Sequence, residues 1–144
     1  MKKLCALFCV IASILSIVST SAFAAEPEET VIDLGDGYYA VETITQYPMS
    51  RSGDRVNGSV SADLYYSSTL IGTATLYATF DISGSSAKAM AANISGTGYN
   101  GGTYSRGTTS CSGNTASGAA YFTYSGVQKI LRLSLSCTPD GTLY

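Results

Sequence analysis

Residues 72–82, GTATLYATFDI, alternate between apolar and polar side chains along their whole length. The apolar set is Ala74, Leu76, Ala78, Phe80 and Ile82, and the polar set is Thr73, Thr75, Tyr77, Thr79 and Asp81. A period of two is typical of a β-strand that packs one face against a core and turns the other toward solvent. This stretch therefore predicts an antiparallel sheet with one buried face.

The same period recurs on both sides of this stretch. Strand patterns cover residues 38–47, 59–68 and 87–95, and the last is short enough to favour a strand over a helix despite its alanines. The clearest hairpin joins 115–124 to 127–137 through a turn at Ser125-Gly126. The apolar face of its second strand consists of Leu131, Leu133, Leu135 and Cys137.

Two segments leave alternatives open. Asn57-Gly58, between two valines, is typical of a type I′ turn and also of a bulge within a strand. Residues 96–118 are rich in glycine, serine and threonine, and we expect a loop to about Gly102 followed by a strand.

Together these elements predict six to eight strands and an all-β fold. We expect a single antiparallel β-sandwich of immunoglobulin-like architecture, with a small β-barrel as the alternative. The antibody-domain signature is absent, because the chain contains no tryptophan. The expected likeness is therefore one of architecture alone.

The first 24 residues have the pattern of a cleaved signal peptide. Lys2 and Lys3 precede an apolar run to Val18, and Ala22 and Ala24 are the small residues that signal peptidase reads. The run is shorter than the ~20 residues that a membrane-spanning helix needs. We expect cleavage after Ala24, secretion to the extracellular space and no stable membrane anchor.

The mature chain divides into an N-terminal arm, residues 25–36, and a β-sandwich domain, residues 37–144. Without the two leader lysines it has six basic residues against ten acidic ones, a formal charge of −4. Six scattered cations do not form the basic stripe that neutralises phosphates, so we expect no nucleic-acid partner.

Cys111 and Cys137 are the cysteines that remain after cleavage. In an oxidising compartment they predict one structural disulfide, which would stabilise a loop of this length by about 3–4 kcal/mol. A redox pair or a zinc site fits less well, because the chain has no CxxC motif and no histidine.

The lack of histidine also excludes Ser-His-Asp and Cys-His catalysis. Asp33 and Asp36 in the string DLGDG are a suggestive carboxylate pair, for calcium or for glycosidase-like chemistry. Asp-Gly is also ordinary turn chemistry, and the further alternating oxygens of a calcium loop are missing. We therefore expect a protein that is not an enzyme, with no cofactor and no metal.

Tyrosine is the residue in excess, with eleven in the chain. Neighbouring strand residues face opposite ways, so the pairs at 38–39 and 65–66 each place one ring on an outer face. Exposed tyrosines suit protein recognition or stacking on sugar rings, and cross-strand aromatic pairs are the structural alternative. The candidate binding surface consists of Tyr38, Tyr65, Tyr77, Tyr99 and Tyr104.

Three strings together resemble a group of short, uncharacterised secreted β-sandwich proteins of Gram-positive bacteria. The strings are residues 32–44 (IDLGDGYYAVETI), 72–86 (GTATLYATFDISGSS) and 133–137 (LSLSC). The resemblance covers most of the mature chain. It implies a disulfide between a cysteine near residues 85–90 and the terminal cysteine, whereas here the available partner is Cys111. It implies no activity.

Three classes of function follow. The leading hypothesis is a secreted, non-enzymatic binding module that uses its sheet-face tyrosines and the 96–102 loop against a surface protein or a glycan. The second is a small toxin or bacteriocin that acts on membranes through its apolar strands. The third is a structural component of an extracellular matrix that assembles through sheet edges.

Overall fold

The computed structural model describes residues 29–48 and 53–144. Within these ranges the chain forms eight strands, and no helix there is long and apolar enough to cross a membrane. The strands are β1 (Glu29–Gly35), β2 (Tyr38–Gln46), β3 (Arg55–Tyr66), β4 (Thr69–Asp81), β5 (Lys88–Gly98), β6 (Thr103–Ser112), β7 (Thr115–Tyr124) and β8 (Val127–Ser136).

The strands form two antiparallel sheets that share one core. The large sheet has the order β1-β2-β3-β4-β5, and the small sheet has the order β6-β7-β8. The predicted all-β sandwich is confirmed, and the described strands do not close into a barrel. Strands adjacent in sequence are adjacent in space throughout, so the likeness to immunoglobulin architecture is limited to the two packed sheets and does not include Greek-key connections.

The first strand begins earlier than the sequence pattern predicts. β1 covers residues that we assigned to the N-terminal arm, and it pairs with β2 from Glu29 opposite Thr43 onward. Ile32 and Leu34 pack against the core. Two alternating apolar residues among acidic neighbours are too short a pattern to indicate a strand. The arm predicted over 25–36 is therefore wrong from Glu29, and its first residues and the leader, 1–24, lie outside the described residues.

Tight turns join β1 to β2 and β7 to β8. Asp36 and Gly37 have φ angles of 56° and 80°, and Ser125 and Gly126 have φ angles of 49° and 80°. Positive φ at both central residues is the mark of a type I′ turn, which matches the twist of the flanking strands. By contrast, Asn57-Gly58 is neither turn nor bulge, because it lies in regular register with β4 in the middle of β3.

The strand predicted over residues 87–95 is confirmed as β5, which continues to Gly98. The loop expected over 96–102 therefore shrinks to four residues, 99–102. It is held by two backbone hydrogen bonds, in which Tyr99 N donates to Ile71 O at 2.9 Å and Gly102 N donates to Tyr99 O at 2.8 Å. A closed turn replaces the longer segment that the glycine-rich composition indicated.

The core lies between the inner faces of the two sheets. Alternate residues of β3, β4 and β8 point into it, as the period of two predicts. The largest fully buried side chains are Phe80, Phe122, Leu64, Ile71, Leu76, Ile94, Leu133, Leu135, Val56, Val60 and Cys137.

Glycines on the inner faces let the two sheets approach each other. A Cβ atom added to Gly72 of β4 would lie 2.1 Å from Cε1 of Phe122 on β7. A Cβ atom on Gly118 of β7 would lie 3.0 Å from Cδ1 of Leu76 and 3.1 Å from Cδ1 of Ile94. Each sheet therefore leaves space, at a glycine, for large side chains from the other.

Glu42 is the acidic residue on the inner face of β2, between Ala40 and Ile44. It is half-buried, and desolvation raises the pKa of its carboxyl above the ordinary value. Because the neutral form is favoured in the fold, the stability linked to this group is fully present below the unfolded-state pKa. It is lost as pH rises through the folded-state pKa.

We expect Gly72→Ala to lower the free energy of unfolding by about 1–3 kcal/mol, because the buried ring of Phe122 must move. Gly84→Ala is the matched control, since a Cβ atom there meets nothing within 4 Å. Urea unfolding of the two variants measures the difference. Equal stabilities would contradict the close approach of the sheets at Gly72.

We expect Glu42→Gln to raise the melting temperature at pH 7, where the native carboxyl must be charged in a half-buried site. Well below the ordinary pKa of glutamate, the Glu42 carboxyl is protonated in both the folded and the unfolded chain, so the gain should disappear. Glu29→Gln, at an exposed position of β1, controls for the change in net charge. Thermal scans at the two pH values measure the gain in melting temperature. The same gain at both would contradict the raised pKa of Glu42 as its cause.

Candidate functional site

The two Tyr-Tyr pairs place their rings on opposite faces, but the outer-face assignment of Tyr38 is wrong. Tyr38 is only 4% exposed, and its outward neighbour is Tyr39. On the outer face Tyr39 stands directly opposite Tyr65, with ring centroids 5.1 Å apart and an interplanar angle of 8°. A cross-strand pair of this kind stabilises the sheet, and Tyr65 stays half-exposed on the outer face, as the sequence predicts.

Tyr104 also turns inward rather than toward a binding surface. Its ring centroid lies 5.6 Å from that of Phe122, and its hydroxyl is buried with no hydrogen-bond partner among the described residues. Burial raises the pKa of this hydroxyl above its ordinary value. The remaining predicted tyrosines are exposed: Tyr77 by 44% on the outer face of β4, and Tyr99 by 42% in the β5–β6 loop.

Tyr77 borders a groove of about 280 Å³ on the outer face of the large sheet. Strand register assembles the groove, because Asn57 lies opposite Thr79, and Tyr77 lies opposite Asn93. Tyr47 follows β2 and donates its N–H to the carbonyl of Asn57 at 3.0 Å. The lining of this Tyr47–Tyr77 groove is Tyr47, Asn57, Gly58, Tyr77, Ala78, Thr79, Ala91, Ala92 and Asn93.

The ring of Tyr47 lies along the sheet surface. Its hydroxyl is 3.2 Å from Oγ of Ser59, which is two residues beyond Asn57 on the neighbouring strand. A side chain that reaches this diagonal position must lie over the sheet, and Ser59 beneath it is buried. Tyr47 remains 39% exposed, so a ring surface stays accessible to a ligand.

Two asparagine amides complete the groove, and both have their carbonyl oxygens engaged. Thr79 Oγ1 donates to Asn57 Oδ1 at 2.8 Å, and Arg106 Nη2 donates to Asn93 Oδ1 at 2.9 Å. These bonds orient each amide and leave its NH₂ group as the available donor, with no acceptor recorded for either among the described residues. The groove therefore offers oriented hydrogen-bond donors beside two aromatic rings.

Hydroxyl groups continue along the same outer face, away from the groove. Ser61 Oγ and Thr75 Oγ1 are 2.9 Å apart, and Thr73 Oγ1 donates to Asp63 Oδ1 at 2.7 Å. The described residues that line the groove carry no formal charge at neutral pH. Their chemistry is aromatic and polar.

The predicted disulfide between Cys111 and Cys137 is not formed, and both residues are free thiols. Cys111 lies opposite Ala116 of β7, whose other neighbour is Leu135 of β8. Two strand spacings amount to about 10 Å, whereas a disulfide needs Cα atoms within about 7 Å. Cys137 lies two residues beyond Leu135 and is therefore farther still from Cys111, and Cys111 is exposed while Cys137 is buried.

Sequence reasoning did not select Tyr47, Asn57 or Asn93 as site residues. Asn57 and Asn93 lie at outward positions of their strands, and Tyr47 continues the outward-facing set of β2. The alternation of outward and inward positions was the feature of the sequence that could have selected them. What brings them together is the register of four strands, which the period of two does not determine. Asn57 was interpreted instead as part of a possible turn.

Comparison of this chain with protein-family models, with curated proteins and with solved structures gave no match. We therefore infer function from the residues and their geometry alone.

We expect the chain from Ala25 to expose one reactive thiol when folded and two when unfolded. Cys111 is exposed, whereas burial first, and the charge of Asp140 second, raise the pKa of the Cys137 thiol and disfavour its reactive thiolate. Alkylation without reductant, read by intact mass, measures both counts. If the unfolded chain were alkylated only after a reductant had been added, the two cysteines would be joined by a disulfide, and the expectation of two free thiols would be wrong.

Proposed function

We propose that this chain is an extracellular, non-enzymatic glycan-binding module that holds a neutral sugar in the Tyr47–Tyr77 groove. The observation that carries the proposal is the pairing of two exposed tyrosine rings with two oriented amide donors in one groove, whose described lining residues carry no formal charge. A sugar ring presents both a C–H face that stacks on tyrosine and hydroxyls that accept hydrogen bonds.

Several features favour a glycan over a protein ligand. Specific protein interfaces have a well-packed apolar centre with a polar rim. Here the polar side chains of Asn57 and Thr79 line the groove together with the rings of Tyr47 and Tyr77. The neighbouring hydroxyls of Ser61 and Thr75 extend the same polar chemistry beyond it.

The same groove supports a binding role without catalysis. The part of its lining that the structure describes consists of aromatic, amide, hydroxyl and small apolar residues, which suit contact with a sugar better than the two-carboxylate chemistry of glycosidases. The pattern of residues 1–24 supports an extracellular location, where polysaccharides of cell walls and surfaces are accessible.

Retention on insoluble polysaccharides tests the proposal. The chain from Ala25 is mixed with cellulose, chitin and purified peptidoglycan, and a panel of soluble neutral polysaccharides is tested by affinity electrophoresis. We expect binding to at least one, and binding about tenfold weaker for Tyr77→Ala and for Tyr47→Ala, because each removes a stacking ring. Failure of the native chain to bind any of these polysaccharides would overturn the proposal.

Two controls locate the binding site. Tyr99→Ala removes a ring of equal exposure from the β5–β6 loop and should leave retention unchanged. Asn93→Asp keeps the oxygen that accepts from Arg106 but removes the amide donor, so it should weaken binding. If Tyr99→Ala weakened binding as much as Tyr77→Ala, the groove would be the wrong site.

A further inference from the structure

A second aromatic cluster lies at the opposite end of β2 and faces inward. The ring centroid of Tyr66 is 4.7 Å from that of Tyr38 and 5.6 Å from that of Tyr124. The rings are tilted by 49° and 45°, so they form a bent wall and not a parallel stack. Because Tyr66 belongs to β3 and Tyr124 to β7, this wall joins the two sheets.

The cluster already holds one ammonium group. Lys129 Nζ lies 4.8 Å from the ring centroid of Tyr38. It also donates to the carbonyl of Leu34 at 3.0 Å and to Asp36 Oδ2 at 3.1 Å. An ammonium over a tyrosine face, with a carboxylate beside it, shows that the rings at this end can contact a cation.

Beside this internal cation lies a cleft of about 300 Å³, at the lower end of the size range of small-ligand sites. Its lining consists of Asp36, Tyr38, Tyr66, Tyr124, Ser125 and Val127. Among the described residues of this lining, Asp36 supplies the carboxylate, and its side chain is 85% exposed. Lys129 pairs with Oδ2 of Asp36 at 3.1 Å and is not among the described residues that line the cleft.

We propose that this cleft binds a quaternary ammonium cation of the choline type. Aromatic rings beside a carboxylate form the kind of site that recognises such cations, whose methyl groups spread the charge over a surface too large for strong hydration. Tyr66 is 38% exposed and Tyr124 half-buried, so their rings supply the walls, and Asp36 supplies the charge. The cleft shares no residue with the Tyr47–Tyr77 groove, so the two proposals stand independently.

Titration of the chain from Ala25 with choline chloride tests the proposal. The chain contains no tryptophan, so its fluorescence comes from its eleven tyrosines, of which Tyr38, Tyr66 and Tyr124 line the cleft. We expect a saturable change below about 100 mM choline. The neutral isostere, in which a tert-butyl group replaces the trimethylammonium group, should bind about tenfold more weakly or worse. No saturable change with choline, or equal affinity for the isostere, would overturn the proposal.

Variants locate the cation. Tyr66→Phe keeps the ring and should keep binding, whereas Tyr66→Leu should abolish it; loss in both, with folding intact by circular dichroism, would contradict a cation–π site. Tyr144→Leu, at an exposed ring beside the far end of β8, is the control.

Sedimentation with phosphatidylcholine but not phosphatidylglycerol vesicles would assign the ligand to a lipid headgroup, and choline binding without sedimentation would assign it to a free cation.

Discussion

The sandwich depends on the close approach of its two sheets at inner-face glycines. Phe122 of the small sheet occupies the space over Gly72 of the large one, and Leu76 and Ile94 of the large sheet lie against Gly118 of the small one. This reciprocal fit lets the two sheets pack closely around a core in which many of the buried side chains are alanine. Without it, the outer face of β2 to β5 would have no fixed support.

That support matters because most of the groove is built on the strands themselves. Its amides and the Tyr77 ring come from β3, β4 and β5, Tyr47 directly follows β2 and is bonded to Asn57 O, and hydrogen bonds from Thr79 and Arg106 orient the two amides. Side chains held on strands lose little conformational freedom when a ligand binds. A shallow site can therefore bind specifically despite its small contact area.

Strand patterning predicted the class of fold because apolar alternation in β3, β4 and β8 is nearly unbroken. It did not reveal β1, whose apolar pair Ile32 and Leu34 is short. Alternation showed that Tyr38 and Tyr39 face opposite ways, but the choice of inner ring depends on the partner that Tyr38 meets, Tyr66 on β3. The groove was missed because it depends on register across four strands.

Lys129 has a consequence for the surface of the large sheet. β1 is an edge strand, and the carbonyl of Leu34 turns away from β2 toward Lys129 Nζ. A strand of a second molecule adding to this edge would find that acceptor already bonded to a partly buried lysine. The lysine that lies over the Tyr38 ring thus makes strand addition at this end of β1 less favourable.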